Sequence, residues 1–374
     1  MAIRPDGDGS QANPYVIDNS DGKAWDNFVY MNSGSAAYGD YVTFADVHVD
    51  ENGNFDISGT GTPTDPFIVS TYREMLHCTG ASSIHDCKLI ARDETTREMT
   101  YRYDVENPET HEVTSKYCRY NPAPTTIDFN DISETYIDSI RVINKWDCNG
   151  WTFLNPRVNM NGGSSNPNSI FYTNINNTTY ISNLIMLNCM AKPTSTQYNS
   201  YVFAIKVTDS IMHIDIDASN LGDTNYLFLC KAGSYTSGFA RNSLALKVTG
   251  SNTTFNGSDS GSILIEDSLF DVDIDVYTIG HSSNRYSDVL RTTIKGKAKC
   301  TTYGSGFFGV FGDSIFDVDC TTALFPAPVI KDASVYNKEK VSWTDSSGLM
   351  GVTSAELLSP TTLQSKGLAI GVDT

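Results

Sequence analysis

Charge is what this sequence has least of. Only 19% of its 374 residues are charged, and the balance is one-sided: 44 acidic side chains face 26 basic ones, for a net charge of −18. Such a surface repels phosphate backbones and anionic lipid, which argues against nucleic-acid and peripheral membrane partners. Long apolar runs are missing as well. Nothing approaches the roughly 20 residues a membrane span requires, and Met1-Ala2-Ile3-Arg4-Pro5-Asp6-Gly7 carries no apolar signal core. The expectation is synthesis and folding in a cytoplasm. No two of the eight cysteines have CxxC spacing, so neither a zinc site nor a disulfide framework is indicated, and they read as small buried hydrophobes. The six histidines have no nucleophile or base at catalytic spacing.

What is abundant is Ser, Thr, Asn and Gly, together with 20 Tyr and 17 Phe. A polar, weakly charged, aromatic-rich chain reads as all-β. At this length it can bury a sizeable core without a metal or disulfide staple.

Two layers of self-similarity organise the chain. Gly7-Asp8-Gly9-Ser10-Gln11-Ala12-Asn13-Pro14-Tyr15-Val16-Ile17 is matched by Gly59-Thr60-Gly61-Thr62-Pro63-Thr64-Asp65-Pro66-Phe67-Ile68-Val69. In each copy Gly and Pro set a turn, and an aromatic with two β-branched residues opens a strand. A short helix is expected after each, at Trp25–Phe28 and at Tyr72–Leu76, the second with a capping box from Thr71 and Glu74. The second layer is a recurring [DN]-[SC]-x-apolar start followed by strict alternation. It is clearest at Asp209–Asp217, Asp267–Ile274 and Asp313–Cys320, and weaker at Asp86, Asp138, Asn183 and Asn242. Recurrent period-2 segments with variable loops are the mark of a β-solenoid, each coil burying its apolar face only against its neighbours. On that reading Ile214, Ile216, Val272, Ile274, Val318 and Cys320 point into one core. A β-sandwich is the structural rival.

The duplicated lead-in, followed by Tyr38-Gly39-Asp40-Tyr41-Val42-Thr43-Phe44, resembles the opening segment of right-handed parallel β-helix proteins of gut bacterial surfaces and of the virions of their tailed phages. The ending, Val352–Leu357 and Leu363–Leu368, is similar to the tails of the same phage proteins. The resemblance covers about a quarter of the chain. It implies an all-β, right-handed parallel β-helix, a pectin-lyase-like solenoid, divided as lead-in and cap (1–34), β-helix (35–340, with the second lead-in at 59–78 and a hairpin at 97–120) and C-terminal docking tail (341–374). It also implies a structural protein of a tailed-phage virion, decorating the capsid or forming an appendage, with other virion proteins as partners. A receptor-binding spike for a host cell-wall glycan is the alternative, and a glycan depolymerase the second. Because no signal segment is apparent, virion rather than bacterial surface is the expected location.

Phage β-helices are often glycan-cleaving, and carboxylates such as Asp215 with Asp217, or Asp271 with Asp273, have a suitable separation. Against catalysis stands a ladder of alternating sign: Asp215 and Asp217, then Lys247, then Asp271 and Asp273, then Lys295 and Lys297, then Asp317 and Asp319. Stacked about 4.8 Å apart, opposite charges face one another and set register. The structural reading is preferred, and the Asp motifs of pectate-lyase-like and polygalacturonase-like enzymes are absent. No catalytic residue, metal ligand or cofactor is therefore assigned; calcium suits so many oxygen donors, but no EF-hand indicates it. Candidate contact residues are Tyr101, Tyr103 and Tyr117 in the hairpin, with its turn at Asn107–Glu109, and Trp146 and Trp151 ahead of the loop Met160–Asn168. In the tail a small helix is expected near Thr353–Leu358, capped by Thr353 and Glu356. The tail's apolar stripe, Leu349, Leu357, Leu358, Leu363, Leu368 and Ile370, is expected to dock on a neighbouring protomer, a trimer by default, or on the virion.

Overall fold

The computed structural model describes residues 2–18, 23–32, 41–44, 55, 57–69, 72–81, 87–92, 99–106, 110, 112–120, 126–129, 136–142, 145–161, 168–172, 180–194, 199–221, 225–230, 239–258, 263–280, 287–303, 308–320, 329–330, 334–341 and 350–368. Thr71, Asp86, Asn107–Glu109, 162–167, Leu349 and Ile370 lie outside them.

The protein is all-β, with two long parallel sheets. One has ten strands among the described residues, stacked from Tyr15–Ile17 and Tyr41–Phe44 through Lys145–Asp147, Tyr180–Ser182, Lys206–Thr208 and Phe239–Ala240 to Ile263–Glu266, Ser287–Leu290, Phe308–Gly312 and Val329–Ile330. The main path of the other runs from Thr126–Asp128 through Thr152–Leu154, Ile185–Pro193, Ile211–Asp217, Ser243–Ser258, Leu269–Ile279, Thr293–Tyr303 and Ile315–Asp319 to Val335–Asn337 and Met350–Val352. From Phe239 to Asn337 the chain visits the two sheets alternately, each repeat adding one strand to both. The earlier repeats add further strands to the second sheet, among them Arg157–Met160, Asn168–Tyr172, Ser200–Phe203 and Tyr226–Cys230. Ile214, Ile216, Val272, Ile274, Val318 and Cys320 lie together in one buried core. Full burial of each Ile or Val contributes about 1.5–3 kcal/mol.

The recurring motif is the bend between the sheets. Asn183, Asp209, Arg241, Asp267, Arg291 and Asp313 all have positive φ, between 45° and 62°. Asn and Asp tolerate that region better than most residues. From Asp209 onward the next residue in each of these bends is buried and polar, and it ties one repeat to the next. The Ser210, Asn242, Ser268, Thr292 and Ser314 amides donate to the side-chain oxygens of Asn242, Ser268, Thr292, Ser314 and Ser334 in turn, at 2.9–3.2 Å. The hydroxyls of Ser210, Ser268, Thr292 and Ser314 donate onward to the carbonyl two residues back, at 2.7–2.8 Å. Buried polar groups are tolerated here because each has its partner.

The pairing corrects two motif placements. Ile211 faces Ser243, so Arg241, not Asn242, is the counterpart of Asp209. Asp138 lies in a strand facing Asn159, away from the bends.

The two lead-ins fold alike. Gly7 and Gly59 have φ of 101° and 93°, and a Cβ on either would lie 2.1 Å from the carbonyl oxygen of Pro14 or Pro66. Val16 N bonds Asp6 O and Ile68 N bonds Ser58 O, both at 2.9 Å; Tyr41 N bonds Gly9 O and Tyr117 N bonds Gly61 O, both at 2.9 Å. Each opens a parallel pair, Tyr15 facing Val42 and Phe67 facing Cys118. They part at the next strand. Tyr41–Phe44 receives Lys145–Asp147 in parallel, whereas Val113–Tyr120 receives the antiparallel strand Met99–Glu106. The result is a separate four-stranded sheet, Phe67–Val69, Val113–Tyr120, Met99–Glu106 and Cys87–Arg92. The expected hairpin is present. The second lead-in and the Asp86 repeat, however, do not belong to the long stack: Cys87–Arg92 is antiparallel.

This small sheet and its helix Tyr72–Thr79 pack Val69, Met75, Tyr101, Cys118 and Tyr120 against Ile185, Leu187 and Ile211 on the flank of the long-strand sheet. Only the first lead-in covers the start of the core. Phe28, on helix Ala24–Asn32, meets Phe129 and Phe153 at ring-centroid distances of 5.5 Å and Trp146 at 6.2 Å.

In the tail, Leu357, Leu363 and Leu368 are buried against Ile315, Val335 and Val352 of the same chain, so much of the apolar stripe that gave the docking expectation is covered within the chain. Leu358, the fourth of the expected docking leucines, is exposed, at 64%. Helix Ser354–Leu357 starts with the full capping box: Glu356 N donates to Thr353 Oγ1 at 3.2 Å, and Thr353 N donates to Glu356 Oε2 at 2.7 Å.

Candidate functional site

The outer wall of the long-strand sheet carries the charged residues singled out in the sequence. Parallel in-register pairing places equivalent positions side by side. One column runs Asp215, Lys247, Asp273, Lys297, Asp319. A second runs His213, Ala245, Asp271, Lys295, Asp317, and a third Asp217, Thr249, Asp275, Lys299. Along a strand, side chains on one face are two residues apart, so the three columns lie parallel on one wall.

Ion pairs close three of the rungs. Lys295 Nζ is 3.6 Å from Asp271, Lys297 Nζ 3.3 Å from Asp273, and Lys299 Nζ 3.1 Å from Asp275. Asp317 instead pairs with Lys340 at 2.9 Å and accepts from Asn337 Nδ2 at 2.7 Å. Asp215 lies 3.7 Å from His213 Nε2, and Asp217 accepts from Ser219 N at 3.1 Å. These groups are largely solvated, so each pair contributes ~0–1 kcal/mol. Asp271 and Asp273 thus face lysines, Asp217 a backbone amide and Asp215 an imidazole.

A tighter electrostatic line lies along the bends. Arg241 grips Asp209 with two bonds, Nε to Oδ1 at 3.2 Å and Nη2 to Oδ2 at 3.1 Å. Arg291 repeats this on Asp267 at 2.6 and 2.9 Å and adds Glu266 at 3.1 Å. Two-pronged Arg–carboxylate contacts are the stronger kind. The carboxylates hold both guanidinium groups more firmly protonated than usual, hydrogen bonding being the larger cause. Sequence reasoning missed this line. It matched Asp209 to Asn242 and so passed over Arg241, whose alternation with Asp209 and Asp267 was the available signal.

The contact residues fare differently. Trp146 and Trp151 are 0% exposed and pack with Phe44 in the core, so neither can touch a partner. Tyr101 is likewise buried, under the small sheet. Tyr103 and Tyr117 remain part-exposed. A β-rich chain fills wide core spaces with aromatics, and composition alone does not separate those from contact aromatics.

Among the described residues no group of three or more His, Cys, Asp or Glu is arranged to hold a metal ion. No helix among them is long and apolar enough to cross a membrane. No family model matches the chain, and no curated protein or solved structure matches it.

Proposed function

We propose that the chain is a right-handed parallel β-helix serving as a structural protein of a tailed-phage virion, a capsid decoration or surface appendage. The observation that carries the reading is the outer wall: its charges are matched to one another, Asp271, Asp273 and Asp275 against Lys295, Lys297 and Lys299. Such a wall spends its side chains on holding successive repeats in register, which suits a rigid surface element better than a carboxylate couple converging on a sugar. The fold part of the proposal rests on the alternation of successive repeats between two long parallel sheets. The phage part rests on the resemblance of the lead-in and tail segments.

Quantitative mass spectrometry of density-gradient particles from a culture of the source organism tests it. The chain should co-purify with particles, at hundreds of copies for a decoration or about a dozen or fewer for an appendage. Recovery only in particle-free fractions overturns the proposal.

A further inference from the structure

The small four-stranded sheet contains a feature that its packing role does not require. Cys78, on helix Tyr72–Thr79, and Cys118, on strand Val113–Tyr120, place their sulfur atoms 3.6 Å apart. They are 40 positions apart in sequence and sit on different elements. Their access to solvent differs: Cys118 is 0% exposed while Cys78 is partly open. Lys116 lies at the same spot, its Nζ donating to the carbonyls of Cys78 at 3.2 Å and Thr79 at 2.8 Å, so a cation caps the helix end beside the Cys78 thiol. Cys148, Cys189 and Cys320 are buried with their thiols pushed up by desolvation, and are inert by comparison. The Cys118 contact, helped by Lys116, instead holds the Cys78 thiol below its ordinary range, while the same contact and burial push the Cys118 thiol up, so Cys78 is the thiol that reacts first.

We infer that Cys78 and Cys118 form a redox-switchable staple, with Cys78 as the attacking thiol and Cys118 as the resolving one. The oxidant is a small-molecule disulfide such as oxidised glutathione. Cys78, as thiolate, attacks one sulfur of that disulfide and expels one glutathione thiolate, which takes up a proton. Cys118 then loses its proton and attacks the Cys78 sulfur, expelling the second glutathione thiol. Two protein thiols become one disulfide while one glutathione disulfide becomes two thiols. The bond ties the helix to the strand across the hairpin, fastening the second lead-in unit that lies on the flank of the long stack.

The pairing is tested on the full chain equilibrated with oxidised glutathione and then denatured in acid for thiol counting and non-reducing peptide mapping. Two of the eight thiols should disappear, the linked peptides should contain Cys78 and Cys118, and dithiothreitol should restore both. Cys118→Ser should instead trap glutathione on Cys78, while Cys78→Ser should lose no thiol. Circular dichroism verifies that both variants fold, and the wild-type peptide map alone decides the pairing should either fail. Amide exchange in Val113–Tyr120 should slow by at least roughly 30-fold on oxidation, the low end of what a cross-link of this kind delivers. A glutathione adduct that persists on wild-type Cys78, a different linked pair, or eight unreacted thiols overturns the inference.

Discussion

Asn242 holds the repeat before its own by two hydrogen bonds from one side chain, Oδ1 accepting from Ser210 N and Nδ2 donating to the Val207 carbonyl, and Nδ2 also donates to Ala240 O two residues back in its own repeat, all at 2.9 Å. Its neighbours in the ladder are Ser or Thr, each with a single hydroxyl proton, whereas the Asn242 amide offers two N–H donors and gives each of two carbonyls its own proton.

Asn242→Ala strands the buried Ser210 amide and removes a donor from the Val207 and Ala240 carbonyls, of which Ala240 O keeps the Asp209 amide at 3.2 Å; a buried group left unsatisfied costs about 1–3 kcal/mol. Amide exchange in Lys206–Asp217 should accelerate at least tenfold, read by mass spectrometry because unfolding of stacked repeats need not be two-state. Asn242→Ser restores the acceptor used elsewhere in the ladder and should recover part of the protection.

The outer columns should behave as register devices of small individual worth. Asp273→Asn should shift stability by less than ~1 kcal/mol. Asp273→Lys, between Lys247 and Lys297, should destabilise more, and the deficit should shrink between 20 mM and 500 mM salt as screening increases. Chemical denaturation in urea at the two salt concentrations measures the difference.

Gly296 faces Val272 with φ of 113°, and a Cβ there would lie 2.1 Å from the Val272 carbonyl oxygen. Gly296→Ala therefore forces the two strands apart on top of a backbone strain of about 1–3 kcal/mol. The melting temperature should fall, and exchange should quicken in both Leu269–Ile279 and Thr293–Tyr303.

The capped tail should loosen in acid. Hydrogen bonds from Thr353 hold the Glu356 carboxyl below its ordinary range, and those from Ser354 do the same for Glu339. A carboxylate with a depressed folded value stabilises above its unfolded value and loses that contribution as pH falls through the folded one. Exchange in Ser354–Ser365, corrected for the intrinsic pH dependence of exchange, should show full protection at pH 7 and progressive loss below the ordinary glutamate range. Glu356→Gln, which keeps the capping geometry without the charge, should flatten the profile.

The parity of Ile214, Val272 and Val318, both strands of the hairpin and the Thr353–Glu356 box were legible in the sequence, because each depends on spacing along one short segment. The second lead-in was misplaced because its local turn is the same as the first; what differs is the strand that arrives next, and a sequence repeat does not record that partner. The tail leucines read as exposed because their covering residues, Ile315 and Val335, precede them in other repeats. At the candidate site the Asp and Lys residues were visible as a pattern, but Arg241 was hidden by an alignment one residue out of register.

The account depends most on Asp273 and Lys297 lying side by side on adjacent parallel strands. Adjacent strands lie 4.7–4.9 Å apart, within the Cα separation a disulfide can span. Paired substitution Asp273→Cys with Lys297→Cys, followed by mild oxidation and non-reducing peptide mapping, tests this directly. The account expects efficient cross-linking between these two positions and little for Asp273→Cys with Lys295→Cys, which is displaced by one step along the wall. Equal cross-linking of both pairs, or preference for the second, would contradict the stacked register on which the fold and the proposed role rest.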